Sequence, residues 1–73
     1  MTLHDAIYEV LNAHGESLTC KEIADEIVVR KLYTKKDGTP ALPKQISARV
    51  NNNPKLFVKE GAGVTLKHWK QQN

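Results

Sequence analysis

The sequence predicts a mainly α fold with a small β-hairpin. Three observations predict it: two segments of helical periodicity each introduced by a capping threonine, a third apolar stripe introduced by proline, and two β-rich pieces joined by glycines. A chain of 73 residues is expected to make one domain over residues 1–73. Domains this small bury only about 60% of the surface their unfolded chain exposes, so the core must be economical and function belongs on the outside.

Thr2, followed three residues later by Asp5, is a capping-box-like start. Leu3, Ala6, Ile7, Val10 and Leu11 then recur at helical spacing, and Gly15 is placed to end the run. Thr19 and Glu22 make a cleaner capping box for a second helix from about Cys20 to Arg30, with Ile23, Ala24, Ile27 and Val28 on its buried face. Leu32 and Tyr33 are expected as a short extended piece, and Lys35-Lys36-Asp37-Gly38 as a turn.

A third helix is expected to start at Pro43, since proline is tolerated at the first helical position, with Pro40 in the approach. Leu42, Ile46 and Val50 fall on one stripe. Lys44, Ser47, Ala48 and Asn51 point away from it, and Arg49 lies nearer its edge. Asn53-Pro54 ends the helix. Leu56, Phe57 and Val58 then form a strand that turns at Gly61-Ala62-Gly63 into Val64, Thr65 and Leu66, a hairpin with a three-residue glycine turn. Three helices, a short strand between the second and third, and a terminal hairpin make a winged helix: a three-helix helix-turn-helix plus wing. In that architecture the third helix is the usual groove reader and the hairpin flanks it on the phosphate backbone.

Charge follows the same division. From Met1 to Val29 one basic residue, Lys21, stands against six acids, a balance of −5; from Arg30 to Asn73 ten basic residues stand against Asp37 and Glu60, a balance of +8. The net charge of +3 conceals the split, which directs the second half toward a polyanion. Double-stranded DNA is the expected partner.

The residues expected to touch it are Lys35, Lys36, Lys44, Ser47, Arg49, Asn51, Lys55 and Lys59, because phosphates are met by Lys, Arg and small hydroxyl or amide side chains. Each has a plainer alternative. Lys35 and Lys36 also suit a solvated turn, Arg49 an intramolecular pair, and Asn51 to Asn53 a helix end, although Asn51 has the chemistry to pair with adenine. Strand alternation sets Phe57 with Lys55 and Lys59, so Phe57 is either exposed beside them or buried by twist. Trp69 is expected to close the core, with base stacking as the alternative. Tyr8 and Tyr33 read as packing residues.

Leu18-Thr19-Cys20-Lys21-Glu22-Ile23-Ala24, then Leu32-Tyr33, Gly38-Thr39-Pro40 and Ile46-Ser47-Ala48, and Phe57 before a glycine-turned hairpin, together resemble the HARE-HTH family of winged helices. The resemblance covers almost the whole chain. Leu-Thr, two residues and Glu-Ile-Ala recur in many helix-turn-helix proteins, while the addition of Gly-Thr-Pro narrows the match. It implies a module of chromatin-associated regulators, restriction systems and the delta subunit of bacterial RNA polymerase, used to bind or sense DNA, with Phe57 buried. The delta-subunit relatives imply the alternative of protein–protein docking in a transcription or restriction complex. The chain departs from the pattern by placing a second proline, Pro43, before the third helix.

Other classes find no support in the residues. His4, His14, His68 and Cys20 lack the short spacings of a zinc site or a nucleophile–base pair, and Gly61 and Gly63 do not precede a helix as a phosphate-cradling loop would. No enzyme, metal or cofactor is expected. No apolar run approaches the roughly 20 residues of a bilayer-spanning helix, so no membrane association is expected. One cysteine makes no internal disulfide, in keeping with a cytoplasmic location in a bacterium or a nuclear one in a eukaryote. Its place in the first turn of the second helix suits redox sensing less well than simple packing.

Overall fold

Threonine side chains set both of the first two helices. The computed structural model describes the backbone of residues 2–70 and the side chains of residues 2–68. Helix α1 (Leu3–His14) starts at Thr2, whose Oγ1 accepts from Asp5 N at 3.3 Å, and ends at Gly15 in the left-handed region (φ 74°). Helix α2 (Cys20–Arg30) starts on a full capping box: Glu22 N donates to Thr19 Oγ1 at 3.1 Å and Thr19 N to Glu22 Oε1 at 2.8 Å. Both starts follow the sequence expectation.

Helix α3 (Pro43–Asn51) carries proline at its first position, so the additional proline starts the helix without disturbing it. Strands β2 (Phe57–Glu60) and β3 (Gly63–Leu66) form the wing, and β1 (Leu18–Thr19), between α1 and α2, pairs antiparallel with β3 through Leu18–Val64 and Thr19–Gly63. The sheet order is β1-β3-β2. A short α4 (Lys67–Lys70) follows, an element that the sequence pattern does not predict.

Five expectations change. No strand forms at Leu32–Tyr33; these residues pack partly buried against the core, and the strand outside the wing is β1 instead. Val28 is 49% exposed, because it lies about 100° past Ile27 and leaves the face shared by Ile23, Ala24 and Ile27. Leu42 is 57% exposed because it precedes the helix in extended conformation, outside the helical period, and buried Ala41 takes the inward place. The first wing strand begins at Phe57 rather than Leu56, so Lys55 lies in the preceding turn and not on the wing. The hairpin loop has two residues, Gly61 and Ala62, since Glu60 pairs directly with Gly63. Gly61 at φ 59° as the first loop residue suits the right-handed strand twist, as in a II′ turn.

The core draws on every layer: Ile7, Val10 and Leu11 of α1, Ile23 and Ile27 of α2, Ile46 and Val50 of α3, and Phe57, Val64 and Leu66 of the sheet. Each such side chain stabilises the fold by about 1.5–3 kcal/mol when fully buried. Phe57 is 3% exposed, which resolves its two outcomes in favour of burial. Tyr8, Tyr33 and Cys20 are half-buried against the core. The expectation for Trp69 concerns a side chain outside those described.

Candidate nucleic-acid interface

Helix α3 is held at both ends by polar side chains, one within it and one just beyond it. Gln45 Oε1 accepts from Leu42 N at 2.8 Å, half of a capping box whose other half Leu42 has no acceptor to make. At the far end Asn53 Nδ2 donates to Arg49 O at 2.8 Å, while Asn53 O accepts from Leu56 N and Phe57 N at 3.0 and 3.2 Å. Asn53 is therefore structural, as its place before Pro54 suggests, and the turn it organises carries exposed Lys55.

At about 100° per residue, α3 presents three sides. Ile46 and Val50 enter the core. Lys44, Ala48 and Asn51 form an exposed ridge. Ser47 turns to the wing, where Lys59 Nζ donates to its Oγ at 2.7 Å; Phe57 and Lys59, two residues apart on β2, thus share the face turned toward α3. Gln45, Arg49 and Asn52 lie on the opposite flank and line a groove of about 330 Å3. Its further walls come from Leu3 of α1 and from Tyr33, Lys35 and Ala41 of the α2–α3 connection.

That connection is braced internally. Asp37 Oδ1 accepts from Thr39 N at 3.0 Å and from Thr39 Oγ1 at 2.6 Å, Lys35 N donates to Thr39 O and Gly38 N to Lys35 O, both at 2.9 Å. Gly38 supplies the left-handed residue (φ 86°). The Thr39 hydroxyl, then its amide, hold the Asp37 carboxyl below the usual carboxylate range, with the charge of Lys35 a smaller contribution. The loop presents half-buried Lys35 to the groove and exposed Lys36 at its tip.

The eight residues expected from sequence thus divide. Ser47 and Lys59 touch, Lys35 and Arg49 line one groove, and Lys44 and Asn51 stand on the ridge between those flanks. Lys36 and Lys55 occupy exposed turns, and no hydrogen bond or ion pair among the described residues ties them to the other six. Arg49 makes no ion pair among the described residues. The acids Asp5, Glu9, Glu22 and Asp25 lie exposed on α1 and α2, and Glu26 is engaged by His14 and Arg30.

Sequence reasoning missed Tyr33, Gln45 and Asn52. Gln45, Arg49 and Asn52 recur at i, i+4, i+7, the signal of a second polar flank on the helix; Tyr33 carries no such mark. Among the described residues no three His, Cys, Asp or Glu side chains cluster to hold a metal, and no helix is long and apolar enough to cross a membrane.

No curated protein and no solved structure matches the chain significantly. A family model does: HARE-HTH, described as an ASXL and restriction endonuclease HTH domain, matches residues 1–69. With that match over nearly its whole length, and with three principal helices and a small antiparallel sheet in winged-helix order, the chain belongs to the HARE-HTH family of helix-turn-helix DNA-binding domains.

Proposed function

We propose that the domain binds double-stranded DNA with α3 in the major groove and the β2–β3 wing on the phosphate backbone, in transcription regulation or a DNA-processing system. One observation carries the reading. The exposed ridge of Lys44, Ala48 and Asn51 is flanked by cations on both sides, Lys59 through Ser47 on one and Lys35 with Arg49 on the other. A duplex laid on the ridge meets phosphates on each flank, with Asn51 available to a base edge. Lys36 and Lys55 extend the positive surface from the neighbouring turns.

The test is a titration with short duplex DNA over a salt series. If four to six of these cations neutralise phosphates, log affinity falls with log salt with a slope of roughly −4 to −5. The double variant Lys44→Ala/Lys59→Ala then flattens the slope, and retained affinity with an unchanged slope rules this face out.

A second reading, docking to an acidic protein surface, is favoured by a different observation. Val28 and Val29, the latter 74% exposed, end α2 beside exposed Arg30 and Lys31, an apolar and basic pairing suited to a protein partner. Absence of duplex binding tighter than millimolar at low salt selects it.

A further inference from the structure

The groove beside α3 has a composition that phosphate contact alone does not need. Gln45, Arg49 and Asn52 lie roughly 150° around the helix from Ser47, so the groove opens on the flank away from the wing. At about 330 Å3 it stands at the small end of ligand sites. Leu3, Ala41 and Ala48 give it apolar walls, and the half-buried aromatic Tyr33 lines it beside them. Ala48 leaves room that a longer side chain in mid-helix would fill.

The polar groups are sorted by what they offer. Gln45 spends its oxygen on Leu42 N, leaving its amide NH2 as donor, while the Asn52 side chain keeps both donor and acceptor free among the described residues. Lys35 and Arg49 bring positive charge, and among the described residues no acid lines the groove. An occupant that satisfies all of these has a body able to lie on an aromatic ring, polar edges, and a negative charge beside it. An acidic peptide meets the charge but not the aromatic and amide pairing; a nucleotide meets all three.

We propose that this groove holds one unpaired nucleotide, its base against Tyr33 and the alanine walls and its phosphate between Lys35 and Arg49. The inference rests on the DNA-binding reading for its setting, since a duplex on the α3 ridge brings a sugar–phosphate strand past Arg49. The nucleotide has two sources with the same chemistry: one displaced from bound DNA, or a free mononucleotide.

Four ligands test it on the full chain. A short duplex is compared with the same duplex carrying one bulged 2-aminopurine; deoxyadenosine monophosphate and inorganic phosphate are titrated separately while amide NMR shifts are followed. The bulged duplex is expected to bind about ten-fold tighter than the paired one, with quenched 2-aminopurine fluorescence, as stacking on an aromatic side chain predicts. Ala48→Met, which fills the groove at an exposed position, brings the ratio of the two affinities to one. Tyr33→Leu does the same, and because the readout is a ratio it survives any general loss of affinity. Shifts at Ala41, Ala48 and Asn52 with the monophosphate, absent with phosphate, assign the free nucleotide as a source as well.

A ratio of one in the parent chain, together with no shift from the monophosphate beyond that of phosphate, overturns the proposal. A ratio unchanged in both variants overturns it too. Salt-dependent binding of the paired duplex alongside either result leaves the DNA-binding reading standing. Monophosphate shifts without any duplex binding support the groove and remove that reading instead.

Discussion

Lys59 Nζ donates to Ser47 Oγ at 2.7 Å, joining the middle of the wing to the middle of α3. The contact links residues from two elements that are separately placed by the core, Phe57 on one side and Ile46 with Val50 on the other. It also fixes where a positive charge stands relative to the α3 ridge, which a free lysine on a hairpin would not do.

Removing either partner separates the two roles. Ser47→Ala keeps every charge and loses one exposed hydrogen bond, so it is expected to cost about 0.5–1 kcal/mol in urea denaturation and to leave the salt slope of duplex binding unchanged. Lys59→Met keeps the methylenes and removes the charge, so the slope flattens by about 0.9. Equal slopes for Lys59→Met and the parent chain would show that the wing lysine meets no phosphate.

The capping box at the start of α2 carries a stability prediction independent of function. Thr19→Ala leaves Glu22 N without its side-chain acceptor and is expected to cost about 1 kcal/mol. For a domain of this size that is a fall in Tm of about 4–8 °C. Glu22→Gln keeps an acceptor for Thr19 N and costs a fraction of that. Thermal denaturation followed by circular dichroism orders the two, and equal losses would mean that the carboxylate charge contributes as much as the threonine cap.

What the sequence made legible was local. Thr2, Gly15, Thr19 and Pro43 act within a turn of themselves, and the helices start and stop where those residues require. Leu18–Thr19 is a strand only because Val64 and Gly63, distant in sequence, pair with it, and two residues carry no periodicity of their own. The same limit explains the groove: Leu3, Tyr33 and Ala41 come from separate segments, and only folding sets them beside Arg49. Val28 and Leu42 read as core because a hydrophobic residue near a stripe looks inward until the start and the turn of its helix are known.

Acid pH is expected to weaken the contact between α1 and α2. Glu26 Oε1 lies 3.3 Å from His14 Nε2 and 3.0 Å from Arg30 Nε, and the hydrogen bond from His14, helped by the charge of Arg30, holds its carboxyl below the ordinary range against the opposing effect of desolvation. A depressed carboxylate stabilises the fold above the unfolded pKa, about 4.3 for Glu, and that contribution disappears as pH falls through the folded value. Tm should therefore drop from about pH 5 downward, and Glu26→Gln should drop less steeply. A residual slope remains in that variant from Asp37, whose carboxyl is lowered by Thr39. Identical Tm profiles from about pH 7 to 3 for parent and variant would remove Glu26 from the account.

The two wing glycines are predicted to respond differently to alanine. Gly61 sits at φ 59°, where a Cβ is strained by about 1–2 kcal/mol whatever space surrounds it. Gly63 has no positive φ, and a Cβ built there meets Glu60 O and Ser17 Oγ at 3.6 Å, ordinary contact. Gly61→Ala should lower Tm by several degrees, whereas Gly63→Ala should leave it level or raise it slightly, because alanine narrows the unfolded ensemble without straining the strand. The comparison isolates backbone conformation from packing, since both positions lie within one hairpin. A fall in Tm for Gly63→Ala as large as that for Gly61→Ala would mean that the pairing of Thr19 with Gly63 needs a closer approach of β1 than ordinary contact allows.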